Sequence, residues 1–114
     1  MATEGIEGVY LETHNWGKAV KFLQTLGYTV EFTSDHGSGL LRNGDGPYLL
    51  VNEVPEDHVP QTQVVLRVAD AAAFPQDAGL DVVTAFEETH YGTRKLTVRD
   101  PDGRLWALEA PLKN

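Results

Sequence analysis

Residues 8–14 alternate along the chain, with Val9 and Leu11 on one side and Tyr10 and Glu12 on the other, the two-residue period of a strand. Asn15 follows as a helix N-cap, because its side-chain oxygen accepts from the first free amides. Trp16, Ala19, Val20 and Leu23 recur at i, i+3, i+4 and i+7, one apolar stripe of a helix. Leu26-Gly27 ends it, the glycine supplying a left-handed residue after the last turn. Strands are predicted over Tyr28–Thr33, Leu40–Arg42 and Pro47–Asn52. A turn at Asp35–Gly39 separates the first two, and the hairpin signal Asn43-Gly44-Asp45-Gly46 the last two. Residues 54–62, with Pro55, Pro60, Glu56, Asp57 and His58, read as a linker.

The pattern then begins again. Gln63–Val68 is a strand with Val64, Leu66 and Val68 on one face. Ala69-Asp70 opens a short helix through Ala71–Phe74 that Pro75 kinks or breaks, and Gly79 closes it. Asp81–Phe86, Arg94–Arg99 and Arg104–Glu109 follow as strands, joined by a loop at His90–Thr93 and a tight turn at Asp100–Gly103. The chain is two copies of a β-α-β-β-β unit, offset by roughly 52–57 positions when Asn15, Gly27 and Gly46 are set against Asp70, Gly79 and Gly103. Module one is 6–53 and module two 63–110. A half of about 55 residues is too small to bury its own sheet, so the expectation is a single α+β domain over 1–114.

Composition narrows the function. Nine basic against 17 acidic side chains give a net charge of −8, which argues against nucleic acid or an anionic membrane as partner. It favours cationic ligands mildly, through the long-range field. The absence of cysteine excludes disulfides, thiolate nucleophiles and cysteine-zinc sites. The N-terminus lacks a basic and apolar leader, and no stretch approaches the ~20 apolar residues of a membrane span, so a cytoplasmic protein is expected.

The strand faces differ in character. Val9/Leu11, Leu49/Val51, Val64/Leu66/Val68 and Trp106/Leu108 are apolar and are expected to lie under the helices. The opposite face mixes Tyr10, Glu12, Tyr48, Leu50, Asn52, Gln63, Val65, Arg67, Leu105 and Ala107. Such a face is either the solvated side of an antiparallel sheet or the lining of a pocket, where apolar walls bury a ligand and a few polar groups orient it. Glu12 and Arg67 occupy equivalent positions in the two modules and are expected to form an ion pair or to orient a polar ligand together. Tyr10 and Tyr48 are either ordinary strand aromatics or stacking surfaces for a planar ligand. His90 and Tyr91 lie in a loop at the edge of this face. The four histidines, His14, His36, His58 and His90, fall at no metal-ligand spacing. No phosphate-cradling loop leads into a helix, and neither Ser34 nor Ser38 has a paired base in the sequence.

The two-module pattern resembles the vicinal oxygen chelate superfamily, the glyoxalase/bleomycin resistance/dioxygenase family. The residues that carry the resemblance are Asn15 to Phe22 with Leu26-Gly27-Tyr28, then Val68-Ala69-Asp70 with Ala78-Gly79-Leu80. The strongest part is Tyr91-Gly92-Thr93-Arg94 running into Val98 to Trp106 through Asp100-Pro101-Asp102-Gly103. The resemblance implies a curved eight-stranded mixed sheet around a cleft, with the helices on the outer face. It also implies one divalent metal in that cleft, held by His and Glu from the first and last strands of each module. Those positions read Gly8, Leu50, Gln63 and Ala107, of which three have no donor atom and the fourth is a weak ligand.

The expectation is therefore a metal-free, cofactor-free binding protein of the bleomycin-resistance type, sequestering an antibiotic or natural product, cationic or aromatic, without turnover. Its ligand-binding residues would be Tyr10, Glu12, Tyr48, Leu50, Asn52, Gln63, Arg67, His90, Leu105 and Ala107. By resemblance it would pair as a homodimer. The alternative is a metal-dependent glyoxalase or dioxygenase-type enzyme with relocated ligands such as Glu12, His14 and His90. A third reading is a regulatory partner with a vestigial cleft.

Overall fold

Asn15 starts the one α-helix found among the described residues, which are 3–34, 37–75, 79–89 and 91–112 of this computed structural model. Its extended backbone (φ −147°, ψ 102°) lets the side-chain Oδ1 accept the Lys18 N–H at 2.9 Å. The Trp16 N–H, another of the first-turn amides, donates to Glu53 Oε1 at 2.8 Å. Helix α1 runs Trp16–Thr25 and ends at Leu26 and Gly27, whose φ of +103° is the left-handed conformation glycine adopts without strain. It follows β1 (Ile6–Thr13) and precedes β2 (Thr29–Thr33), β3 (Ser38–Arg42) and β4 (Tyr48–Glu53). The second half consists of β5 (Thr62–Arg67), a single 3-10 turn at Ala71–Ala73, β6 (Asp81–Glu88), β7 (Thr93–Arg99) and β8 (Leu105–Pro111).

The chain divides into two compact units, Gly8–Thr62 and the combination of Met1–Glu7 with Gln63–Asn114. The latter arises because the Glu4 N–H donates to Arg67 O and the Arg67 N–H to Gly5 O, each at 2.8 Å. In the first unit the strand order is β2-β3-β4-β1, antiparallel except for the parallel β4/β1 pair. In the second it is β6-β7-β8-β5, antiparallel except for the parallel β8/β5 pair. The predicted repeat is thus present as one topology used twice, in an α+β structure of eight mixed strands. Segment 54–62 belongs to the first unit, where buried Val54 donates its N–H to Thr13 O.

Each unit has its own core. In the first, Leu23 of α1 packs with Leu41 and Val51, flanked by Leu11, Ala19, Val20 and Leu49. In the second, Val68, Ala71, Phe74, Leu96, Val98, Leu108 and Ala110 pack together, and Phe74 meets Phe86 edge-on at 5.9 Å. The second helix is short and broken at Pro75, one of the two outcomes expected there, and residues 76–78 beyond the proline lie outside the described residues. Asp70 caps as foreseen, accepting the Ala72 N–H at 3.0 Å, but helical backbone stops after one 3-10 turn. Phe74 is extended (ψ 135°), because a residue preceding proline is driven out of the helical region. Gly79 is left-handed (φ +77°) yet closes no helix among the described residues. Predicted strand boundaries otherwise move by a residue or two, and Asp35, His36 and residues 76–78 lie outside the described residues.

Candidate functional site

The parallel pairing of β1 with β4 sets Tyr10 opposite Leu50 and Glu12 opposite Asn52. The antiparallel pairing of β4 with β3 continues these rows to Leu40 and Ser38. The face turned away from the first unit's core therefore carries a polar row, Glu12–Asn52–Ser38, beside the row Tyr10–Leu50–Leu40. Tyr10 ties the two together: its hydroxyl donates to Glu12 Oε2 at 2.8 Å and accepts from Asn52 Nδ2 at 3.2 Å. The other carboxylate oxygen, Glu12 Oε1, accepts the Gln61 N–H at 2.9 Å, and the Glu12 N–H returns a bond to Gln61 O. Burial, and then the bond to the Glu12 carboxylate, push the Tyr10 phenol up to about 12. It stays a neutral donor throughout the physiological range.

The remaining aromatic of this face behaves differently. Tyr48 is 5% exposed, too little for the ring to serve as a stacking surface for a ligand. Its ring lies against Gly8, with the Arg42 guanidinium 5.9 Å from the ring centroid on the cation–π side. Leu50 and Leu40 are buried as well. In the second unit the same side of the sheet has buried Val65 and Ala107, partly exposed Gln63 and Leu105, and exposed Arg67. In each unit, part of the mixed face is therefore buried: Tyr48, Leu50 and Leu40 in the first, Val65 and Ala107 in the second. The sequence-predicted residues that present surface are Tyr10, Glu12, Asn52, Gln63, Arg67 and Leu105. His90 lies outside the described residues.

Arg67, expected to pair with Glu12, donates its Nε to Glu7 Oε2 at 3.0 Å within its own unit, a carboxylate brought beside it because Gly5 hydrogen-bonds to the Arg67 backbone. Glu109 was missed by the sequence reading. It is 2% exposed and accepts the Tyr91 hydroxyl at 2.8 Å. The signal was available: Leu105, Ala107 and Glu109 share one face by alternation, and Tyr91 belongs to the strongest motif.

The residues at the metal positions implied by the resemblance do not fit a metal. Leu50 and Ala107 are buried and have no donor, and Gln63 offers only an amide. At Gly8 the space for a donor side chain is taken: a Cβ there would stand 2.5 Å from Tyr48 Cδ1 and 2.6 Å from Tyr48 O. Of the relocated set, His90 lies outside the described residues, and the other two have partners of their own. His14 Nε2 lies 2.7 Å from His58 O, and Glu12 is bound to Tyr10 and Gln61. Among the described residues no three His, Asp or Glu side chains converge to hold an ion.

A cavity of about 750 Å³ opens on the core side of the second unit, lined chiefly by Leu66, Phe74, Leu80, Val98, Trp106 and Leu108. It lies where the 3-10 turn covers less of the sheet than α1 covers in the first unit.

No family model matches the chain. An uncharacterized protein of Mycolicibacterium smegmatis is 28% identical over 119 residues, spanning 99% of each chain. Among solved structures, a glyoxalase/bleomycin resistance protein/dioxygenase superfamily member from Vibrio splendidus 12B01 matches 90% of this chain and 96% of its own, at a TM-score of 0.67 and 18% identity. The Mn(II)-bound glyoxalase of Novosphingobium aromaticivorans matches 95% of this chain at a TM-score of 0.71 and 14% identity; 39% of that chain is covered. A variant of homoprotocatechuate 2,3-dioxygenase from Brevibacterium fuscum matches 97% at a TM-score of 0.73 and 18% identity, with 33% of that chain covered. The chain therefore has the vicinal oxygen chelate fold, as the sequence motifs indicated. No helix among the described residues is long and apolar enough to cross a membrane.

Proposed function

We propose that this protein is a metal-free binding member of the fold, which sequesters a small molecule, an antibiotic or natural product of the kind met by bleomycin-resistance proteins, without turning it over. The observation that carries the reading is the fate of the four metal positions. Three have no donor, and the backbone at Gly8 is closed by the Tyr48 ring. A catalytic metal centre keeps about three protein ligands and an open position, and neither requirement is served here. What the face offers instead is an oriented hydrogen-bonding set, Tyr10–Glu12–Asn52, suited to holding a ligand still. Association into a homodimer belongs to the same proposal, as a means of walling the ligand on more sides.

The test is metal content by elemental analysis after expression without an affinity tag and with zinc, manganese, nickel and iron supplied. Below about a tenth of an ion per chain is the expected result, since no three-ligand set is found among the described residues. About one tightly held ion per chain overturns the reading and returns attention to the relocated ligands.

A further inference from the structure

Among the described residues Glu12 forms no ion pair. The arginines that form ion pairs are committed elsewhere: Arg42 to Glu31, Arg67 to Glu7, Arg99 to Asp81, and Arg104 to Asp100 and Asp102. Among the described residues the Glu12 carboxylate is held only by neutral donors, the Tyr10 hydroxyl and the Gln61 N–H. Two fixed donors place its oxygens without cancelling its charge, and partial burial removes some of the water that would otherwise screen it. A carboxylate so placed keeps lone pairs free for a third donor, and a cationic donor is the one that gains most there.

The register defines what surrounds it. Asn52 and Ser38 stand on the two strands next to Glu12, at spacings of about 4.8 Å per strand, so the polar row is roughly 10 Å long. The flank of this row is the partly exposed Tyr10 ring, with Leu50 and Leu40 behind it. We propose that Glu12 is the counter-ion for an ammonium group, and that this site takes a primary or secondary amine carried on a flat apolar body. The ammonium sits against Glu12, the body lies along the Tyr10 ring, and Asn52 and Ser38 meet hydrogen-bonding groups of the ligand beyond it. The assignment rests on the binding reading above and specifies its ligand class.

The test uses two probes of one shape, 1-naphthylmethylammonium and its neutral N-acetyl derivative, titrated into the whole protein by calorimetry and by amide chemical-shift changes. The ammonium probe is expected to bind at least about tenfold more tightly, the size of one charge-assisted hydrogen bond in a partly dry site. Glu12→Gln keeps the side-chain shape and an acceptor for Gln61 or Tyr10, and it is expected to erase that preference. Glu56→Gln makes the same change of net charge at an exposed residue away from the row and is expected to leave the preference intact. Amide spectra of both variants establish that they fold. Equal binding of the two probes, or a preference that survives Glu12→Gln or is lost with Glu56→Gln, overturns the amine assignment and leaves the binding reading standing. Failure of both probes to bind at millimolar concentration overturns the assignment and the binding reading together.

Discussion

Gly8→Ala is the smallest perturbation that asks whether the first metal position is truly closed. The added Cβ would stand 2.5 and 2.6 Å from two carbons of the Tyr48 ring and 2.6 Å from the Tyr48 carbonyl oxygen. Carbon atoms pack at about 3.5–4.0 Å, so the overlap is about 1 Å on two sides. A rotamer change would relieve the ring contact, but Tyr48 is 5% exposed and has little room to turn. The carbonyl has none, because Tyr48 is the parallel register partner of Gly8 and moving it pulls β4 from β1. Overpacking a core of this kind costs about 1–3 kcal/mol, and a backbone contact places this substitution at the upper end. Gly17→Ala is the control. It lies in the first turn of α1 with only Asn15 Oδ1 nearby, 3.7 Å from the new Cβ, and replacing glycine there adds stability of at most about 0.5 kcal/mol, the lower end of the mid-helix effect. Urea unfolding with linear extrapolation resolves both signs. A Gly8→Ala variant within about 0.5 kcal/mol of the parent would refute the argument, since that is the range of a surface substitution without structural consequence.

Two further predictions concern titration. Asp100 accepts from Trp106 Nε1 and from the backbone N–H groups of Arg104 and Asp102, each at 2.9 Å, and the Trp106 bond leads the causes that hold its carboxyl below the usual range. A lowered folded-state value adds stability above the unfolded carboxylate's value of about 3.9, and that stability is lost as pH falls through the folded value. Asp100→Asn should therefore flatten the acid limb of a pH–stability curve, and an unchanged limb would count against the Trp106 bond. Tyr10 has the opposite sign. Its value of about 12 against about 10 unfolded means its contribution is complete below pH ~10 and is lost as pH rises through 12. Ultraviolet titration should show a late tyrosine transition that Glu12→Gln brings earlier; a titration curve unmoved by that substitution would contradict the hydrogen-bond geometry.

How much was legible depended on which forces were local. The strand alternation that puts Leu11 in the core and Tyr10 and Glu12 on the other side is written in a two-residue period, and it appears in the structure. So are the Asn15 and Asp70 caps, whose chemistry is completed within three residues. The break at Pro75 was legible too, since proline sets Phe74 extended; what was not legible is that helical growth stops after a single 3-10 turn. Pairing across the chain was the least legible part. Glu12 and Arg67 occupy equivalent positions, yet Arg67 takes Glu7, and Glu12 is met by the backbone of Gln61 from the predicted linker. Tyr48 was read as a ligand platform because its alternation was right; its burial depends on Gly8 forty residues earlier, which period alone cannot reveal.

The residues at the positions implied by the resemblance are held there by packing: Leu50 and Ala107 are 9% and 1% exposed. Burial of a leucine contributes about 1.5–3 kcal/mol, so these residues have become part of what stabilises the fold. Returning a carboxylate to either place would set a charge among them without a partner, at a cost beyond that of the lost apolar contact. Gly8 adds a steric bar of its own, since any side chain there must displace the Tyr48 ring before it can reach a metal. At Leu50, Ala107 and Gly8 a single substitution toward a donor therefore costs stability. The partly exposed polar groups Tyr10, Glu12 and Asn52 are under no such constraint. Their bonds to one another and to Gln61 leave them oriented and partly open, so substitution there alters the polar face without first undoing the core.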